Sequence, residues 1–226
     1  MVGRMTKTLR FASLMALAAL QAACGSIPPQ RPSRPEQRPP ISAVVRPADA
    51  QCLARLGATG AGYTPLPDRY YGGGCSTLGA VRLRDLAGDR GDFALTNLGP
   101  VTCRTAETLA GWARYGVDRA ARQILGSPLV RIETMGSYSC RVVAGSTRLS
   151  AHATAQAIDI GAFDLADGRR ISVKDDWASA DPKVREFLRI VHRSACKRFG
   201  TVLGPDYNSA HQNHFHLEVT GKAFCR

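Results

Sequence analysis

The chain has 226 residues, of which 44% are hydrophobic and 21% are charged. A composition this apolar supports a folded core and excludes a wholly disordered chain. The formal net charge is +12, but aromatic residues make up only 7% and no run of lysines and arginines alternates with aromatic residues. We therefore expect no nucleic-acid binding.

The N-terminal segment has the layout of a secretory signal. Residues 1–23 run from three basic residues through an apolar stretch at 11–20 to the small pair Ala22 and Ala23. Such a stretch is too short for a permanent membrane-spanning helix. We predict a signal peptide over 1–23 and export from the cytoplasm. A basic exported protein can bind anionic polymers such as peptidoglycan or lipopolysaccharide.

Cys24 follows the predicted signal. Its surroundings resemble the lipobox of bacterial lipoproteins, in which the cysteine becomes the lipidated N-terminus, although Gln21 stands where the usual leucine would and Leu20 precedes it. Two outcomes stay open. Acylation of Cys24, with Gly25 next to it, would anchor the protein on the periplasmic side of a Gram-negative outer membrane. Cleavage without lipid would leave a soluble periplasmic protein.

Residues 24–50 predict a stiff tether. The part from 27 to 50 holds seven of the thirteen prolines, which favour an extended polyproline-like chain of ~3.1 Å per residue. We place the folded domain at 51–226, beginning near Cys52. There, glycine-rich turns alternate with short apolar pieces that predict loops and edge strands.

The middle of the domain begins with a clear helix signal. Apolar residues recur at three-and-four spacing over 105–125, which predicts a helix with Thr105 at its start and Gly126 at its end. Alternating residues at 129–134 then predict a strand.

The C-terminal part predicts a second helix, from the Asp181-Pro182 cap to just before Gly200. Short strands are expected around it, at 157–163, 201–204 and 214–219. This mixture predicts an α+β fold in which a small antiparallel sheet packs against helices.

The cysteines suit an oxidising compartment. Assigning Cys24 to lipid leaves six others, namely Cys52, Cys75, Cys103, Cys140, Cys196 and Cys225. They can form three disulfides, for which the sequence leaves every connectivity open, or some can remain as buried thiols. No CxxC pair occurs, which disfavours a cysteine-based zinc site.

The histidines point to a metal. Four of the five lie in two short segments, at 150–159 and 211–219, whereas His192 falls inside the second predicted helix and is expected to be structural. In a strand, His214, His216 and Glu218 would share one face. If that strand pairs with the one that carries Asp159, those groups and His152 can converge.

Two histidines and one aspartate satisfy the count of a catalytic zinc site, which keeps three protein ligands and one open position. A further imidazole beside the metal can act as a general base. On the other hand, a pair of histidines on an exposed strand is also an ordinary polar surface feature.

The two histidine segments also carry a resemblance. SAHATAQAID at 150–159 resembles the SxHxxGxAxD signature, and HQNHFH at 211–216 the HxxHxH signature, of zinc peptidases that include D-Ala-D-Ala carboxypeptidases and penicillin-insensitive murein endopeptidases. With YSCR at 138–141, FGTVLGPDYN at 199–208 and the cysteine pattern, residues 50–226 resemble the bacterial extensin-like C-terminal domain proteins, a relative of those peptidases.

That resemblance implies a role for each matching residue. The zinc ligands would be His152, Asp159 and His216. His214 would be the catalytic base, and His211 would support the site or contact substrate. Arg141 would hold a substrate carbonyl or carboxylate, as its two-pronged donor group suits, or else form a surface salt bridge.

One position departs from the signature, because Ala155 stands where the glycine is expected. If that position needs a positive φ, alanine is strained there. Ser150 can orient a ligand or cap the turn, and Tyr207 and Asn208 can line the cleft or simply form a turn.

The expected function is a Zn²⁺-dependent amidase or peptidase that cuts amide bonds of peptidoglycan stem peptides or cross-links. The alternative is a non-catalytic module that binds or tethers the wall and keeps the metal site for structure or ligand capture. A metal that only staples the fold is a third possibility, which three disulfides would make redundant.

Overall fold

A computed structural model of the chain describes residues 47–226. Within them, the mixed α+β class is confirmed. The predicted signal peptide, Cys24 and most of the predicted tether lie outside the described residues. Among the described residues, no helix combines the length and the apolar character needed to cross a membrane.

The described chain contains four α-helices and twelve strands. The helices are α1 (Pro47–Ala58), α2 (Cys103–Trp112), α3 (Val173–Asp176) and α4 (Pro182–Cys196). The strands are β1 (Gly62–Pro65), β2 (Arg69–Gly72), β3 (Cys75–Thr77), β4 (Ala80–Ala87), β5 (Asp92–Thr96), β6 (Val101–Thr102), β7 (Leu129–Gly136), β8 (Ala157–Leu165), β9 (Arg170–Ser172), β10 (Thr201–Leu203), β11 (Phe215–Glu218) and β12 (Phe224–Cys225).

The sheet is larger than the small one expected, and it is mainly rather than wholly antiparallel. Ten strands form one sheet in the order β1-β4-β5-β7-β8-β11-β10-β12, with β6 beside β4 and β9 beside β8. Most pairs are antiparallel, but β5 pairs with β7, and β10 with β12, in parallel. The parallel pair β5–β7 is possible because the long helical connection through α2 returns the chain in the same direction. Strands β2 and β3 form a separate hairpin.

The predicted first helix is continuous but not uniform. It begins at Cys103, continues through π-helical segments at Ala113–Asp118 and Ala121–Leu125, and ends at Gly126, whose φ is 74°. Its cap is Thr102 rather than Thr105, since the Thr102 hydroxyl accepts the amide of Thr105 at 3.3 Å. The expected glycine stop is confirmed.

The second predicted helix, α4, starts as expected. The side chain of Asp181 accepts the backbone amide of Lys183 at 2.8 Å, and Pro182 occupies the first turn. Regular helix ends at Cys196, and Phe199 is reached in the following turn, where it is still buried.

The core lies between one face of the sheet and these helices. Phe163 of β8 contacts the rings of Trp112 and Phe187, with centroids 6.2 and 5.4 Å apart, and so links both helices to the sheet. His192 is buried in α4 against Trp177 and Phe215, which is the structural place expected for it. The opposite face of the sheet is free to carry polar groups.

Three disulfides join all six cysteines of the domain, in the pairs Cys52–Cys103, Cys75–Cys140 and Cys196–Cys225. The first two bridge 51 and 65 residues of sequence. Closing loops of that length restricts the unfolded chain, which stabilises the fold by several kcal/mol, roughly 4 for each bridge. The alternative that some of these six cysteines remain as buried thiols is therefore excluded.

Candidate metal centre

The two histidine segments meet on the face of the sheet that the helices leave open. Strands β8 and β11 pair antiparallel, and His216 stands directly opposite Asp159. Along β11, Phe215 and Leu217 are fully buried, whereas His216 and Glu218 are only partly buried. The alternation predicted from the sequence therefore places the imidazole and the carboxylate side by side.

His152 reaches the same point from a 3₁₀ turn, Ala151–Thr154. Ser150 caps that turn, because its hydroxyl accepts the backbone amide of His152 at 3.3 Å. The turn ends at Ala155, in the left-handed conformation with φ 56° and ψ 30°. The position at which the SxHxxGxAxD signature has glycine therefore adopts a positive φ in this chain. Alanine is strained in that conformation.

Three donor atoms converge. The Nε2 atom of His152 lies 3.2 Å from Nδ1 of His216 and 3.3 Å from Oδ1 of Asp159, and the last two atoms are 2.9 Å apart. A tetrahedral ion with ligands at ~2.0–2.1 Å holds its donors about 3.3–3.4 Å from one another. The predicted ligand set therefore fits a zinc ion in both donor chemistry and spacing.

The outward-facing nitrogens of both imidazoles have fixed partners. Nδ1–H of His152 donates to the carbonyl oxygen of Ser137 at 2.7 Å, and Nε2 of His216 faces a carboxylate oxygen of Glu218 at 3.6 Å. Partners of this kind select the tautomer and orient a ligating imidazole. Sequence reasoning placed Glu218 on the correct face but gave it no role, although its position two residues after His216 was the available signal.

The charges of the cluster are strongly coupled. Burial raises the pKa of the Asp159 carboxyl, but hydrogen bonds with His152 and His216 outweigh burial and hold that pKa below its usual range. Burial lowers the pKa of His216, yet its bonds with Asp159 and Glu218 reverse the effect and raise the pKa to about 9. Without a metal, His216 is thus a cation between two carboxylates at neutral pH.

His214 lies just before β11, beside this triad. Its Nδ1–H donates to the side-chain oxygen of Asn213 at 2.8 Å, which leaves Nε2 turned towards Oδ1 of Asp159 at 3.5 Å. Burial lowers the pKa of His214, so the imidazole is neutral at physiological pH. A neutral imidazole with a bare nitrogen next to the donor cluster can accept a proton.

His211 is held by its own support. Its Nδ1–H donates to the side-chain oxygen of Asn208 at 2.7 Å, and its ring lies 5.4 Å from Tyr207 and 5.2 Å from His214. Burial and the nearby His214 and His216 lower the pKa of His211 to about 4. The Tyr207-Asn208 turn therefore contributes directly to the site, because Asn208 selects the tautomer of His211 in which Nε2 is unprotonated.

Arg141 lies at the edge of the candidate metal centre. Its backbone carbonyl accepts the amide of Ser150, and its exposed guanidinium bonds only with the carbonyl of Val142, at 3.5 Å, among residues 47–226. It contributes to lowering the pKa values of His211 and His214, which puts its charge on their side of the molecule. The predicted contact of Arg141 with a substrate stays a prediction.

Comparison with known proteins identifies one family. The family described as "Extensin-like protein C-terminus" matches residues 50–226, which is most of the chain and nearly all of the described residues. No curated protein and no solved structure gives a significant match to the chain.

Proposed function

The chain belongs to the family of extensin-like protein C-termini, and we propose that it is a zinc-dependent peptidase or amidase that hydrolyses amide bonds in peptidoglycan stem peptides or cross-links. The observation that carries the proposal is the convergence of one carboxylate and two imidazole donor atoms at 2.9–3.3 Å from one another. The resemblance of both histidine motifs to those of D-Ala-D-Ala carboxypeptidases and murein endopeptidases supplies the reaction type.

Each residue has a distinct task in this proposal. His152, Asp159 and His216 would hold Zn²⁺, which polarises a carbonyl and acidifies water at neutral pH. As water attacks the amide carbonyl, the unprotonated Nε2 of His214 takes up a proton of that water and passes it to the amine that leaves when the C–N bond breaks.

Two further groups contact the substrate. The guanidinium of Arg141, which has no acidic partner among residues 47–226, holds a substrate carbonyl or carboxylate. His211, whose Nδ1–H is committed to Asn208, presents its other nitrogen to the substrate.

The proposed location is the cell envelope. An export signal at 1–23, a lipid anchor on Cys24 and a proline-rich tether would keep the domain near the periplasmic face of an outer membrane; without the lipid it would be soluble in the periplasm. Three disulfides agree with an oxidising compartment.

The second candidate is a non-catalytic module that binds peptidoglycan or tethers the wall. The strained Ala155 favours it, since the turn that carries His152 departs from the signature of the active peptidases. A site that captures metal or ligand without turnover would keep the same donors.

Zinc content and muropeptide release distinguish the two candidates. We expect the purified full chain to hold one zinc and to release new peptides from sacculi, and His216→Ala to lose both properties. His211→Ala, which leaves the three donors untouched, is the matched control and should keep the zinc. A chain that binds sacculi equally well with and without chelator, and releases nothing, would favour the non-catalytic module.

A further inference from the structure

The hairpin Arg69–Thr77, formed by β2 and β3, exposes two aromatic rings. All four residues of β2 are exposed, and Tyr70 and Tyr71 keep 79% and 49% of their surface accessible. A two-stranded hairpin without a core of its own is marginally stable in water, and large exposed apolar groups commonly mark an interaction site. We call residues 69–77 the tyrosine hairpin.

The tyrosine hairpin is nevertheless fixed to the rest of the domain. The disulfide Cys75–Cys140 ties it to the residue just before Arg141. The side chain of Leu149 packs directly on Gly74, and β3 contacts the 3₁₀ turn that carries His152. The exposed rings are therefore held at a set position beside the candidate metal centre.

A short chain of contacts links these rings to the metal ligand. Tyr138 stands between Ser137, whose carbonyl accepts from the imidazole of His152, and Ser139, whose amide donates to the carbonyl of His152 at 3.2 Å. The ring of Tyr71 lies on Tyr138, with centroids 5.1 Å apart. The hydroxyl of Tyr138 is shielded from solvent and has no hydrogen-bond partner among residues 47–226.

The surroundings are positively charged. Arg69 on the tyrosine hairpin, Arg141 beside its disulfide, and Arg148 on the following loop form no ion pair with any other described residue, and the charge of Arg148 also helps to lower the pKa of Glu218. Arginines without acidic partners suit a carboxylate-bearing ligand. Aromatic rings beside free cations thus match a ligand that has both apolar C–H faces and carboxylates.

We propose that the tyrosine hairpin binds the sugar rings of the glycan strand whose attached peptide enters the metal centre. The flat C–H face of a sugar ring packs on an exposed tyrosine ring while its hydroxyls stay in water. The arginines then receive the carboxylates of the attached peptide. This inference rests on the proposed function, and it makes a glycan-linked peptide the preferred substrate, bound more tightly than a free peptide that the same metal centre cuts.

Tyr70→Ala is the test variant, because Tyr70 is the most exposed aromatic side chain among residues 47–226 and its ring contacts no other ring in that range, whereas Tyr71 packs on Tyr138. Tyr115→Ala is the matched control, since Tyr115 is 48% exposed but lies on the helical side, next to Arg119. For the full chain and both variants, we would measure binding to purified sacculi, competition by short N-acetylglucosamine oligomers, and cleavage of free stem peptides.

We expect Tyr70→Ala to bind sacculi about three- to tenfold more weakly, as the loss of one stacked ring implies. The oligomers should compete for the parent, while cleavage of free stem peptides stays within about twofold of the parent. Tyr115→Ala should match the parent throughout. If no form cuts either sacculi or free peptides but the binding contrast holds, the hydrolase proposal fails and sugar binding stands.

Three results would overturn the inference. One is unchanged sacculus binding by Tyr70→Ala, and another is absence of competition by the oligomers. The third is concentration-dependent self-association that Tyr70→Ala abolishes, which would make the tyrosine hairpin a contact between copies of the chain.

Discussion

Glu218 offers a sharp test of the candidate metal centre, because among residues 47–226 its carboxylate reaches that site through His216 alone. Its carboxylate faces Nε2 of that imidazole at 3.6 Å and accepts the hydroxyl of Thr220. With 13% of its side chain exposed, the carboxylate is poorly screened by water. Replacing it would free the imidazole to turn and reduce the basicity of its Nδ1 atom.

The expected loss of zinc affinity depends on which interaction each substitution removes. Glu218→Gln keeps an acceptor oxygen but loses the charge, and the contact is long, so we expect zinc affinity to fall about tenfold, the lower end for such partners. Glu218→Ala removes acceptor and charge together and should cost about 100-fold. In free energy these losses are about 1.4 and 2.8 kcal/mol.

Competition between the protein and a chelator of known affinity measures this effect. Glu133→Gln is the matched control, since Glu133 is on the same sheet, pairs with Arg170 and does not touch the histidines. It should bind zinc as the parent does. If both Glu218 variants retained the parent's affinity, the assignment of His216 as a ligand through Nδ1 would be refuted.

Three further predictions concern the candidate site and the stability of the fold that carries it. Because the pKa of His216 is about 9 without metal, zinc must displace a proton from its imidazole, and zinc affinity should therefore rise about tenfold per pH unit up to pH 9. Chelator competition at several pH values measures this rise. A zinc affinity that does not change with pH would contradict it. His214→Ala should keep its zinc yet lower kcat by about 10²–10⁴, measured on stem peptides; an unchanged kcat would exclude a general base there. Replacing Cys75 and Cys140 together by serine should lower the free energy of unfolding by about 4 kcal/mol in denaturant titrations, given the 65-residue separation, and equal stability would argue that the bridge does not form.

Local sequence signals predicted the part of the fold that builds the site. Period-two alternation at 214–219 predicted one face for His216 and Glu218, whereas the pairing with the strand of Asp159, which the sequence left open, is seen only in the structure. The Asp181 cap and the glycine stop at Gly126 were also readable, because cap chemistry acts within one turn.

Three features of the part of the domain before residue 137 were harder to predict from the sequence. Helix α1 begins at Pro47, inside the stretch read as a tether, although a first-turn proline followed by Asp49 is a helix start. Strand β4 alternates apolar and charged residues, a signal that the glycine-rich surroundings concealed. The parallel pair β5–β7 joins distant segments, and no local pattern encodes such a contact.

Within the candidate site, the sequence predicts the three metal ligands but not the groups that orient the imidazoles. The carbonyl of Ser137 and the side chain of Asn208 orient His152 and His211 through contacts that depend on the folded loops. Backbone acceptors carry no side-chain signature, so only the structure reveals them.

The most direct test of the central claim is mass spectrometry of purified sacculi incubated with the full chain in water labelled with heavy oxygen, with chelator, without it, and with zinc restored. Zinc-dependent amide hydrolysis predicts new peptide fragments that carry one heavy oxygen in the newly formed carboxylate. These fragments should vanish with chelator and return with zinc. Unchanged sacculi in a sample whose bound zinc has been verified would contradict the account.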